Sequence, residues 1–97
     1  MRRVVIAPSF DKEAEAIGAA IEERLGEDAR RTFVADLTRI CILVSALPGM
    51  GTIRHRYDTR FAGFVFGPNW IFFDFDDHEV HFLHIVDARR DRRRISF

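Results

Sequence analysis

The sequence predicts an α+β fold in the order β-α-α-β-β-β, with a helical hairpin packed on one face of a small, mainly antiparallel sheet. Two observations lead there. Between Ala14 and Leu47, apolar residues recur at spacings of three and four in two runs divided by Gly26. Three β-prone runs then follow in series, over residues 60–66, 70–75 and 80–86, divided by connections of hairpin length.

Residues 3–7 form a short β-prone run that Pro8 stops. Ser9 stands where a first helix needs its N-cap, and Asp11 and Glu13 fall in the first turn, where the helix dipole favours acids. Ala14, Ile17, Ile21 and Leu25 make one apolar stripe, with Glu22, Glu23 and Arg24 mostly off it. Gly26 supplies the C-terminal stop. Asp28 is placed to cap a second helix with the stripe Phe33, Leu37, Ile40, Cys41, Val44 and Leu47, and Pro48-Gly49 ends it. A joint of about two residues makes the pair an αα-hairpin. Neither stripe is broad enough to stand alone, so the strands must supply the surface that covers both. Residues 49–59 read as a loop. Gly67-Pro68-Asn69 and Asp76-Asp77-His78-Glu79 carry turn chemistry between the last three strands. Phe72 and Phe73 are adjacent and point to opposite faces, which predicts a sheet apolar on both sides in places.

Ninety-seven residues make one domain, 1–97. A hydrophobic content of 47% provides for a core and 31% charge for solubility, which argues against disorder except at the ends. No apolar run approaches the roughly 18 residues of a membrane span. Arg2-Arg3 resembles the start of a signal peptide, but the apolar part after it is too short, so a cytoplasmic protein is expected. Cys41 is the single cysteine. It allows neither an internal disulfide nor a thiolate metal cluster, and it reads as a small buried hydrophobe rather than a nucleophile.

Formal net charge is zero but unevenly spread. Residues 10–28 hold seven acids and two bases, whereas residues 89–94 hold five arginines and one aspartate. Of the fifteen basic residues fourteen are arginine, the side chain suited to bidentate contact with carboxylate or phosphate. An arginine cluster directly after a β-run suggests a grip on an acidic partner. The alternatives are a solvated terminal charge run and a general bias toward arginine codons. The balance is not basic enough overall to predict stable non-specific DNA binding.

His78, His81 and His84 invite a metal reading, with Asp76, Asp77 and Asp87 as further ligand types. On one strand, however, His78 and His84 would stand about 20 Å apart at ~3.3 Å per residue, beyond the reach of one zinc. No metal and no cofactor is expected. His81 and His84, at odd spacing, are expected on different faces, one of them half-buried and hydrogen-bonded.

Four features together resemble the RelE/ParE superfamily of bacterial type II toxin–antitoxin toxins. They are the opening strand and helical hairpin, with Asp28-Ala29-Arg30 at the start of helix two; the corner Leu47-Pro48-Gly49-Met50-Gly51; the strand Trp70-Ile71-Phe72-Phe73; and the ending from His84 to Asp91, similar to the family's "R-V-L-H-G-x-R-D". The likeness implies a small toxin neutralised by a separate antitoxin in a hetero-oligomer. RelE-like members cut mRNA on the ribosome; ParE-like members poison DNA gyrase and are not nucleases.

Cleavage through a 2′-hydroxyl needs a base, an acid and cationic stabilisation. The run 61–66 carries no lysine or arginine, and no tyrosine or histidine follows Asp91. Asp87 stands where the family pattern has histidine, and His84 near its arginine. The resemblance is therefore closer to ParE-like members, which implies growth arrest through gyrase binding. In that reading Arg89, Arg90, Asp91, Arg92 and Arg93 contact the target, while Trp70, Phe64, Phe66 and Arg60 receive the antitoxin. Two alternatives stay open. One is a ribosome-dependent endoribonuclease with His84, Arg90, Arg60 and Arg56 as its site, with Arg54 and His55 nearby. The other is a degenerate member that keeps only antitoxin binding.

Overall fold

The computed structural model describes residues 2–48 and 62–87. The predicted order holds. Strand β1 (Arg3–Ile6) leads into helices α1 (Pro8–Leu25) and α2 (Glu27–Ala46), and strands β2 (Ala62–Phe66), β3 (Asn69–Phe75) and β4 (Glu79–Asp87) follow. The sheet order is β1-β4-β3-β2, with β1 parallel to β4 and the other pairings antiparallel.

Both helix starts differ from the expectation. Ala7 is the N-cap of α1 and Pro8 occupies its first turn, where proline's fixed φ fits and its missing N–H would have been unpaired anyway. Ser9 is thereby inside the helix, and its hydroxyl donates to the Leu83 carbonyl on β4 at 2.7 Å. Gly26 alone separates the helices, ending α1 and capping α2 at φ 95°, a region glycine enters without steric cost. Asp28 lies within the first turn of α2 and pairs with Arg31 rather than capping.

The hairpin packs on one face of the sheet. Phe10, Leu37, Cys41 and Val44 from the helices meet Ile71, Phe73, Val80, Phe82 and Ile85 from the strands, all buried. Ala14 and Ile17 join this core only partly, and Leu25 and Leu47, the outer ends of the two predicted stripes, are 64% and 59% exposed. Phe10 does the work expected of that stripe, its ring 5.7 Å from Phe82.

The β2–β3 hairpin turns on two residues. Gly67 takes φ 58° and Pro68 follows, a pairing that suits a II′ turn because proline cannot adopt positive φ. Between β3 and β4 the register slips: Phe72 pairs with His84 but Phe73 with Phe82, leaving Leu83 as a bulge on β4. This overturns the expected alternation of His81 and His84. The bulge sets them opposite Asp74 and Phe72, which lie two residues apart on one face of β3.

Candidate functional site

An open groove of about 880 Å³ lies between the helical hairpin and the far end of the sheet. Ala16, Ile17, Ala20, Ile21 and Arg24 of α1 form one wall. Phe33 and Asp36 of α2, the β2–β3 turn from Phe66 to Asn69, and Ile85 to Asp87 of β4 complete it. α1 lines the groove from Glu13 to Leu25. Its small residues Ala16 and Ala20, four apart on one helix face, leave the space that larger side chains would fill. Three acids, Glu13, Asp36 and Asp87, face one base, Arg24, along its rim.

Glu13, expected in the first turn of α1, lies beyond it because the helix starts at Pro8; it sits instead where α1 crosses β4, a role the sequence did not assign to it. β1 ends opposite Phe82, so among the described residues no strand pairs with β4 beyond that point on this side. The Glu13 carboxylate takes the vacant place: Oε1 accepts the Ile85 N–H at 3.3 Å and lies 3.0 Å from His84 Nδ1. His84 is thus held by an acid at the strand edge, its side chain 21% exposed. The available signal was Glu13's place between Phe10, Ala14 and Ile17, an acid on the side of the helix that must face the sheet.

A second charged cluster closes the opposite end of the sheet. Arg3 of β1 pairs with Glu79 of β4. Glu79 Oε1 lies 3.1 Å from His81 Nε2, and Asp74 of β3 lies 3.4 Å from His81 Nδ1. Three strands are tied in this way. The hydrogen bond to Glu79 raises the His81 pKa above its ordinary value, aided by the charges of Asp74, Glu79 and Asp76. Glu79 is lowered, chiefly by the Arg3 hydrogen bond and then by His81. Asp76 accepts the backbone N–H groups of His78 and Glu79, which lower its pKa in turn. His78 therefore belongs to a turn, not to a strand face shared with His84.

Cys41 is buried as expected, and burial pushes its thiol up to about 12, a value that leaves no thiolate for nucleophilic attack. Among the described residues no group of three His, Cys, Asp or Glu is arranged to hold a metal ion.

The predicted antitoxin residues do not share a face. Phe64 and Phe66 pack against the helix-side core, with the Phe66 ring 5.9 Å from Phe33, and Phe66 also lines the groove. Trp70 lies on the other face, stacked on Phe72 at 6.3 Å and 23°. Phe72 is fully buried without belonging to the helix-side core, so both faces are indeed apolar in the middle of β3. Arg54, His55, Arg56 and Arg60, and the cluster Arg89, Arg90, Asp91, Arg92 and Arg93, lie outside the described residues. No described helix is long and apolar enough to cross a membrane.

A family model described as the ParE toxin of the type II toxin–antitoxin system parDE matches residues 4–92. A solved structure titled as the chromosomal ParDE toxin–antitoxin system from P. aeruginosa superposes with a TM-score of 0.77 at 15% identity, covering 90% of this chain and 96% of that one. A comparison with curated proteins returned no match.

Proposed function

Because the chain belongs to the ParE family of type II toxins, we propose that it arrests growth by binding and poisoning DNA gyrase and is neutralised by a cognate antitoxin. The observation that carries this reading is the extent of the family match, which runs from β1 through the start of the arginine cluster at Arg89, Arg90 and Arg92. In this reading the toxin acts by contact and performs no bond chemistry. Arg89, Arg90, Arg92 and Arg93 offer bidentate donors to an acidic surface of the enzyme, and Asp91, an acceptor, pairs with a neighbouring guanidinium and directs it.

Neutralisation is assigned to the groove beside α1. Its apolar floor of Ile17, Ile21, Phe33 and Phe66 suits one face of an amphipathic antitoxin segment. Its acidic rim favours basic residues flanking that segment.

The absence of lysine and arginine from residues 61–66, and of tyrosine and histidine after Asp91, supports a binder over a nuclease. His84, the one described member of the alternative catalytic set, is engaged by Glu13 at the edge of β4. Purified, antitoxin-free protein is expected to inhibit gyrase supercoiling or to trap cleaved DNA, and an Arg89/Arg90 double substitution is expected to lose the effect. Absence of inhibition by folded protein would reject the gyrase reading and leave ribosome-dependent mRNA cleavage to be assayed next.

A further inference from the structure

Among the described residues β1 is an edge strand, with no strand paired on its outer side. Arg3 and Ala7 donate their backbone N–H groups to His78 and Phe82 at the β4 side. Strand alternation then turns the N–H and C=O groups of Val4 and Ile6 outward. Ile6 is 43% exposed. Sheets usually protect such an edge with Lys, Pro or an inward charge. Within β1 the one charge is Arg3, and Glu79 engages it. Beside the edge an apolar groove of about 600 Å³ runs between the helices, floored by Phe10, Leu37 and Cys41 and rimmed by Val34 and Ile42. Those two rim residues are each 50% exposed.

We propose that this edge is the pairing surface for a second copy of the chain, with the two β1 strands antiparallel and Val5 facing Val5 on a two-fold axis. The register is self-complementary. Val4 and Ile6, the outward-facing residues, flank Val5 symmetrically, so Val4 of each copy stands opposite Ile6 of the other as a hydrogen-bonded pair. A two-fold axis perpendicular to the sheet leaves both helical hairpins on the same side. Ile6, Val34 and Ile42 of one copy then meet the same residues of the other, an isologous contact. The charges agree as well. Arg3 opens the strand and its side chain stays 77% exposed beside Glu79, while Asp11 and Glu15 lie on the α1 wall of the groove beyond the strand's end. Antiparallel pairing brings the basic end of each copy to the acidic end of the other. The two four-stranded sheets become one continuous sheet.

Sedimentation velocity on the purified, antitoxin-free chain at micromolar concentration tests the proposal. The expected species has twice the chain mass. Ile6→Pro removes an N–H that points away from β4 and is tolerated at a free edge; it is expected to give folded monomer, checked by circular dichroism. In a Cys41→Ala background, Val5→Cys is expected to form an interchain disulfide on mild oxidation, because a central non-hydrogen-bonded pair sets its Cα atoms about 4.5 Å apart, within disulfide range. A monomeric wild-type chain would overturn the proposal and leave the edge to an extended segment of an unlike protein. So would a dimer that Val5→Cys fails to cross-link, because that dimer would use another face.

Discussion

The indole of Trp70 on β3 lies against the backbone of Gly63 on β2: a Cβ at position 63 would stand 3.2 Å from both Cε3 and Cζ3. Gly63 is buried, and the ring also stacks on Phe72, so it has little freedom to retreat. Alanine in a strand ordinarily gains about 0.5–1 kcal/mol over glycine. Overpacking a rigid ring costs about 1–3 kcal/mol and outweighs that gain. Gly63→Ala is therefore expected to lower stability by about 1 kcal/mol, read as a lower urea midpoint at unchanged slope. A midpoint at or above wild type would show that the indole moves freely.

Gly18 presents the opposite case on α1. Its nearest contacts are Arg30 Nε at 3.4 Å and Cγ at 3.6 Å, part of a flexible side chain that reaches toward Glu22. Nothing rigid opposes a methyl group there, and glycine inside a helix costs about 1 kcal/mol relative to alanine. Gly18→Ala is expected to raise stability by about 0.5–1 kcal/mol, visible as a higher thermal midpoint.

These two glycines illustrate what was legible in the sequence. Periodicity revealed the helices, the hairpin and the strand order, because burial of one helical face or of alternate strand residues imposes a repeat on the chain. The helix starts were read wrongly. Ser9 and Asp28 have capping chemistry, but the helices start two residues earlier in each case, at Ala7 and Gly26, where backbone conformation rather than a side chain decides. The bulge at Leu83 left no local signature, since it answers to the register of β3 against β4. Glu13 was missed for a related reason: its role depends on where β1 ends beside β4, a relation between residues more than 70 positions apart. The division of Trp70 from Phe64 and Phe66 follows from strand parity across the hairpin, which becomes known only once Phe66 is paired with Asn69.

The Arg3–Glu79–His81–Asp74 cluster predicts a two-sided pH profile. The His81 pKa is raised above 6.5, so its stabilising contribution is full below that value and is lost as pH rises through the folded pKa. Glu79 and Asp76 are lowered, so their contributions are present above the ordinary carboxylate range and vanish as pH falls through their folded values. Stability is expected to peak in the mildly acidic range and to fall on either side. His81→Gln should flatten the neutral-to-alkaline limb, and Asp76→Asn the acidic limb. A thermal-midpoint series across pH with both variants reads the two limbs separately. An unchanged alkaline limb in His81→Gln would remove His81 as its cause.

Glu13 satisfies a backbone donor that no described strand reaches. Glu13→Ala leaves the Ile85 N–H without that acceptor, a loss of about 1–3 kcal/mol for a partly buried group. Glu13→Gln retains an acceptor oxygen and should recover much of the loss. The discriminating measurement is amide hydrogen exchange at Ile85, which should quicken markedly in the alanine variant and much less in the glutamine variant. Equal exchange in wild type and Glu13→Ala would show that the carboxylate does not protect this edge.

The groove assignment separates neutralisation from toxicity, and Ala20 allows the two to be tested apart. Ala20 lines the groove from an exposed position on α1. Its replacement by tryptophan fills the space proposed for the antitoxin without touching the buried core. The helix loses only the small propensity difference between alanine and tryptophan, at most about 0.7 kcal/mol. Blocking the groove should weaken antitoxin binding at least tenfold, about 1.4 kcal/mol. The Arg89–Arg93 segment is left intact, so gyrase inhibition by the free toxin should be unchanged. Co-expression with the cognate antitoxin should then rescue growth of cells carrying the wild-type toxin but not Ala20→Trp. Full rescue of the variant would place the antitoxin elsewhere, whereas loss of both toxicity and binding would mean that target and antitoxin share this surface.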